Sequence, residues 1–137
     1  MNDHAGPEAP FRRIAAAGAF SACAAVALGA FGAHGLRQTI PPDMLAVYET
    51  GVRYQMYHAL GLIAAGLAGL AQGTADRRLL GGAAWVFAIG TLLFSGSLYG
   101  LALTGIRSLG AVTPFGGLAF LAGWALLGLA MLRRGGG

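Results

Sequence analysis

The residues able to do chemistry are few and clustered. Between Glu49 and Gly69 the chain reads ETGVRYQMYHALGLIAAGLAG, with Glu49, Arg53, Tyr54, Gln55, Tyr57 and His58 crowded into the first half and an apolar helix in the second. At 100° per residue, Glu49, Arg53 and Tyr57 share one helical stripe. Gly51, Tyr54, His58, Gly61, Ala65 and Gly69 share another, nearly all small. Glu49 and Arg53, four apart with the acid first, are expected to pair. Elsewhere His34, Ser95, Ser97, Tyr99, Arg107 and Thr113 add polar chemistry of the same kind.

Several chemistries fit such a set. His34, His58 and Glu49 could titrate near neutral pH and form a binding site or a narrow path for protons or a small solute. Two histidines on neighbouring antiparallel helices could ligate haem, provided both imidazoles face one cavity. A metal site is less supported, because no close-spaced pair such as His-xxx-His occurs. A nucleophile would need a base beside Ser95 or Ser97, and the sequence supplies no such pairing. The structural alternative is a polar plug that staples helix ends and satisfies backbone freed near Pro114 and the glycines.

What positions these residues follows from composition. Of 137 residues, 56% are hydrophobic and only 10% charged, too little polar surface for a water-soluble domain. The 24 glycines would weaken water-exposed helices but suit close packing in lipid. All the basic charge is arginine, placed in pairs at the ends of apolar runs, which argues for anionic headgroups and topology rather than nucleic acid. The single cysteine, Cys23, lies in an apolar run that continues through Leu28 and Phe31, so it is read as packing and not as a lipoprotein cleavage site.

The spacing predicts an all-α membrane protein: an antiparallel four-helix transmembrane bundle with a short amphipathic helix between spans one and two. Residues 1–11 are expected to be a disordered tail, 12–134 the transmembrane domain and 135–137 a C-terminal tail. The spans fall at about 14–36, 54–75, 79–106 and 108–132, each long enough for the ~30 Å hydrocarbon core. Pro41, Pro42 and Asp43 mark the start of the amphipathic helix. Asp76-Arg77-Arg78 reads as a tight turn between antiparallel neighbours. Gly29, Gly32, Gly35, Gly61, Gly96, Gly100, Gly117 and Gly123 are the expected helix-packing positions. Six arginines flank one side and three the other, which predicts both termini in the cytoplasm. That topology gathers His34, Glu49, Arg53, Tyr54, Gln55, Tyr57, His58, Ser95, Ser97, Tyr99, Arg107 and Thr113 at the extracytoplasmic end.

Four motifs carry a resemblance: Gly29-Ala-Phe-Gly-Ala-His-Gly-Leu36, Glu49 through Leu60, Phe94-Ser-Gly-Ser-Leu-Tyr99, and Thr113-Pro-Phe-Gly-Gly117 with Gly123-Trp124. In this order they resemble the family of small bacterial inner-membrane proteins typified by YgdD and YwdK, which has a small animal mitochondrial counterpart. The resemblance spans about residues 12–132. It implies a four-helix integral membrane protein of a domain-of-unknown-function family and brings no activity with it. The reading is therefore a non-enzymatic accessory or structural membrane protein with no catalytic residue, metal or cofactor. Its expected partners are the lipid bilayer and either a second copy or a larger membrane complex, with no nucleic acid. The alternatives are a small-solute or proton carrier and a haem-binding electron-transfer subunit.

Overall fold

The computed structural model describes Gly6 and residues 8–71 and 75–133. Four long helices carry the chain. Helix α1 runs Ala9–Phe31 and continues into a π-helical turn, Gly32–Leu36; α2 runs Pro42–Leu70, α3 Arg77–Thr104, and α4 Thr113–Leu132, which follows a 3-10 turn at Arg107–Ala111. Among the described residues there is no strand.

Local chemistry sets these boundaries. Pro10, Pro42 and Pro114 occupy first-turn positions, where the missing N–H costs nothing. Asp76 caps α3, its Oδ1 accepting from the N–H groups of Arg78 (3.0 Å) and Leu79 (3.3 Å). Gly105, at φ 72°, ends the same helix in the left-handed conformation that glycine adopts without strain.

Three expectations change. Helix α1 starts at Ala9, inside the stretch expected as tail, because Pro10 can open a helix; residues 1–5 and 7 of that tail, and 134–137, lie outside the described residues. The short amphipathic helix is not a separate element: Pro42 opens one 29-residue helix that runs through Gly51 unbroken. Asp76-Arg77-Arg78 is not itself the turn, since α2 ends at Leu70, Asp76 caps α3 and Arg77 is already helical; residues 72–74 lie outside the described residues.

Buried positions recur every seven residues. Phe11, Gly18, Ala25 and Gly32 do so along the first helix, Tyr48, Gln55, Leu62 and Gly69 along α2, and Gly116, Gly123 and Ala130 along α4. A seven-residue repeat keeps one seam facing a neighbour, as in left-handed coiled-coil packing. Glycine on the seam brings backbones together. A Cβ on Gly66 would lie 2.6 Å from the Ala15 nitrogen, and one on Gly116 would lie 2.5 Å from the Phe94 nitrogen.

The helices pack antiparallel and in chain order. Phe11 sits against Gly69 while Gly32 sits against Tyr48; Phe87 meets Gly61 while Tyr99 meets Gly51; Gly116 meets Phe94 while the Asp76 N–H reaches the Ala130 carbonyl (3.1 Å). The broad faces are α1–α2, α2–α3 and α3–α4, with a narrow α2–α4 contact and no comparable face between α1 and either α3 or α4. The bundle is therefore open along one side. In the most apolar stretch of α1 only 11% of residues are buried, against 33% in α3, which makes α1 a flank.

By length and composition, Ala9–Leu36, Arg77–Thr104 and Arg107–Leu132 can each cross a membrane. Helix α2 is not among these three, because Tyr54, Gln55, Tyr57 and His58 dilute its middle. It lies between α1 and α3, and its buried positions include Gln55 and His58.

Candidate functional site

The inner face of α2 carries the polar groups, and each binds a neighbouring helix. Towards α1, the Tyr48 hydroxyl donates to the Leu28 carbonyl (2.9 Å) and Gln55 Nε2 donates to the Ser21 carbonyl (3.1 Å). Towards α3, Tyr99 Oη donates to Gln55 Oε1 (2.8 Å) and Ser95 Oγ donates to the Gly51 carbonyl (2.7 Å). The Tyr48 and Tyr99 rings meet at 5.1 Å between centroids. Gln55 thus bridges α1 and α3 through both ends of one amide.

A second group joins α2 to α4. Trp124 Nε1 lies 3.1 Å from His58 Nε2, and an indole N–H can only donate, so Nε2 is the acceptor. The imidazole hydrogen therefore sits on Nδ1 and donates to the Tyr54 carbonyl at 2.6 Å. His58 is a neutral imidazole with both nitrogens engaged. Its ring stacks on Phe120 at 3.3 Å and 4°, with Phe87 also against it. Between α3 and α4, Ser97 spends its hydrogen on the Phe94 carbonyl (2.9 Å) and accepts from Thr113 (2.7 Å). Among the described residues no buried side-chain nitrogen or oxygen is left without a partner.

The twelve polar candidates therefore divide. Gln55, His58, Ser95, Ser97, Tyr99 and Thr113 are tied into these bonds, and Tyr54 stacks on Phe94 at 4.5 Å beside them. His34, Glu49, Arg53, Tyr57 and Arg107 are exposed. Glu49 and Arg53 form no ion pair with each other; the ion pair found among the described residues is Arg12–Glu8, at 3.5 Å. The two residues share an outward stripe, on which Arg53 is exposed and Glu49 is exposed. Neither of two histidine-based proposals finds its geometry. His34 is exposed on the π-turn while His58 is buried with both nitrogens occupied, and among the described residues no three of His, Cys, Asp and Glu come together.

Tyr48 and Trp124 are the participants that the polar inventory omits. Tyr48 stands seven residues before Gln55, so the seven-residue seam points to it; Trp124 has no such signal, because its polar atom is a single N–H in an apolar helix.

The glycines divide too. Gly29, Gly32, Gly61 and Gly123 face Val52, Tyr48, Phe87 and Phe87 respectively, and Gly100 faces Leu109 of the 3-10 turn. Gly35 accommodates the Phe31 ring of its own segment, and Gly117 approaches Phe94 no closer than 3.9 Å. Gly96 faces open space, so it does not pack a helix. Gly18, Gly66, Gly69, Gly90 and Gly116 also make close contacts, although they are not among the expected packing positions. Most glycine faces are thus consumed inside the chain, not offered to partners.

Apolar helices of spanning length, with polar groups spent on one another, define a helical membrane protein. The family described as "Protein of unknown function (DUF423)" matches residues 28–117, and the chain belongs to it. It is 49% identical to the UPF0382 membrane protein YwdK of Bacillus subtilis over 85% of this chain and 93% of that one. A UPF0382 membrane protein of Staphylococcus epidermidis is 45% identical over 87% and 94%. The UPF0382 inner membrane protein YgdD of Escherichia coli is 48% identical over 79% of this chain and 80% of its own. No solved structure matches the chain.

Proposed function

We propose that this is a multi-pass inner-membrane protein with no catalytic activity of its own, an accessory or structural component whose polar cluster fastens its helices together. The observation that carries the reading is that, among the described residues, every buried side-chain polar atom has a partner within the chain. A carrier or catalytic site keeps polar groups aimed at a vacancy that substrate fills. Here Gln55, His58, Ser95 and Ser97 are turned onto neighbouring helices.

Four crossings put both termini on one side of the membrane, which the arginine bias makes the cytoplasmic one. Arg77 lies over the Phe11 ring at 4.7 Å, which draws the arginine pairs at 12–13 and 77–78 to one end, and Arg133 closes α4 at that end, beyond the Ala130 carbonyl that receives the Asp76 N–H. That clustering supports the positive-inside reading. Partners meet the chain through its outer surface, where Phe20, Leu92 and Leu121 are exposed.

The test is purification in mild detergent with lipid retained, followed by a visible spectrum and small-molecule analysis. The expected preparation is colourless and holds no stoichiometric small molecule other than lipid. A haem spectrum, or a stoichiometric solute that His58→Ala removes without unfolding the chain, overturns the reading.

A further inference from the structure

Because α1 packs on α2 and not on α3, a trough of about 460 Å³ lies open between the three helices at the arginine-rich end. Its walls are Phe11, Ile14, Ala17, Leu62, Ala84 and Trp85, and among the described residues its one charged lining residue is Arg13. We propose that this trough is a binding site for one anionic phospholipid, an acyl chain lying along the apolar walls and the phosphate meeting Arg13. The proposal rests on the chain being membrane-inserted, and it holds in whichever leaflet this end lies.

Charge selects the occupant. Arg13 is exposed, and among the described residues no carboxylate lines the trough. The nearby acids are already engaged, Glu8 with Arg12 at 3.5 Å and Asp76 with the N–H groups that begin α3. The Arg77 guanidinium, stacked on Phe11, adds positive charge beside the same end. Basic pockets between membrane helices at the headgroup level recognise anionic lipids in this way. The walls offer a chain only apolar contact, and the volume lies within the usual range for a small ligand. A second copy seated symmetrically on this face would bring the two arginine clusters together, which like-charge repulsion opposes.

The structure also supplies a blocking variant. Gly81 lines the trough, and a Cβ there meets nothing within 4 Å, so the side chain of Gly81→Leu starts in open space beside the trough. The full chain, released from detergent containing equal amounts of phosphatidylglycerol and phosphatidylcholine, is read by native mass spectrometry. One phosphatidylglycerol should be retained in preference. Arg13→Gln should cut that preference about fivefold, the effect of one arginine beside an anionic headgroup. Gly81→Leu should abolish retention while the melting temperature holds. Equal retention of the two lipids overturns the site but leaves the membrane reading standing, and so does full retention in Gly81→Leu. Retention of neither lipid, or a dimer that Gly81→Leu disrupts, also overturns it.

Discussion

Gln55→Leu isolates the central claim that the buried polar groups are fasteners. The substitution keeps most of the side-chain volume and removes two interhelical bonds, Gln55 Nε2 to the Ser21 carbonyl at 3.1 Å and Tyr99 Oη to Gln55 Oε1 at 2.8 Å. The two losses differ. The Ser21 carbonyl lies within α1 and keeps its helical N–H partner, so losing the amide forfeits only a second bond. The Tyr99 hydroxyl loses its Gln55 acceptor, and a stranded hydroxyl costs about 1–3 kcal/mol where water cannot reach it. Interhelical side-chain bonds in membranes average about 0.6 kcal/mol and reach about 1.7. Together these put the single mutant roughly 2 kcal/mol below wild type. Tyr99→Phe alone should cost about 1 kcal/mol, because Gln55 Oε1 loses its donor. The double mutant should cost less than the sum, with a coupling near ~1 kcal/mol, since each deletion removes the other's partner. Reversible unfolding in mixed micelles, followed by near-ultraviolet circular dichroism, measures all four corners of the cycle. A neutral Gln55→Leu with zero coupling would refute the fastener account and return Gln55 to the groups that could await a ligand.

Gly66→Ala should destabilise by about 1–3 kcal/mol, because its Cβ would fall 2.6 Å from the Ala15 nitrogen and 2.8 Å from the Phe11 carbonyl oxygen, so α1 must move away. Gly96→Ala faces open space and should be neutral or stabilising by up to about 1 kcal/mol; matched destabilisation in the two would break the packing argument. Nitrogen-15 spectra of His58 should show a neutral ring with the hydrogen on Nδ1, and Trp124→Phe should change the Nε2 signal by removing its donor; an Nε2–H tautomer in wild type would contradict the assignment. In a Cys23→Ser background, an impermeant maleimide should label Gln38→Cys in intact cells and Ala71→Cys only after permeabilisation; the reverse pattern would invert the topology.

Much of the architecture is legible because hydrophobic runs and arginine pairs are strong, local signals. The charge-free runs after Arg13 and Arg78 become α1 and α3, with ends displaced by only a few residues. Helix α2 is harder to read. By composition alone its middle looks too polar to cross, since the screening of Gln55 and His58 comes from Ser21, Tyr99 and Trp124 on other helices. Winding at 100° per residue places His58 on the inner stripe but leaves Gln55 off it. The seven-residue interval from Tyr48 through Gln55 to Leu62 and Gly69 marks the seam better, because tightly packed helices follow a 3.5-residue period. The Glu49–Arg53 pairing fails for a related reason. Spacing brings two side chains within reach, but on an exposed face the entropy lost in holding two long side chains offsets most of the attraction. The opening between α1 and α3 is not legible at all, because short connections fix which neighbours are sequential and say nothing about whether α1 also closes on α3 or α4.

The glycines and the polar side chains form one device. Once helices are in lipid, burying apolar surface no longer drives them together, and close van der Waals contact and hydrogen bonds must do so. A helix's carbonyls are shielded by its own side chains, so a neighbour can bond them only where those are small. Gly51 shows the consequence: its missing Cβ leaves room for the Tyr99 ring, whose edge would otherwise lie 2.8 Å away, while its carbonyl accepts the Ser95 hydroxyl at 2.7 Å. The same ring then delivers its hydroxyl to Gln55, which reaches on to α1. Gly32 makes room for Tyr48 in the same manner, and Tyr48 bonds the Leu28 carbonyl one turn away. The bonds of Tyr48, Gln55, Ser95 and Tyr99 are thus accounted for by what the glycines opposite them permit. That is why a cluster with the inventory of an active site can hold a membrane protein together.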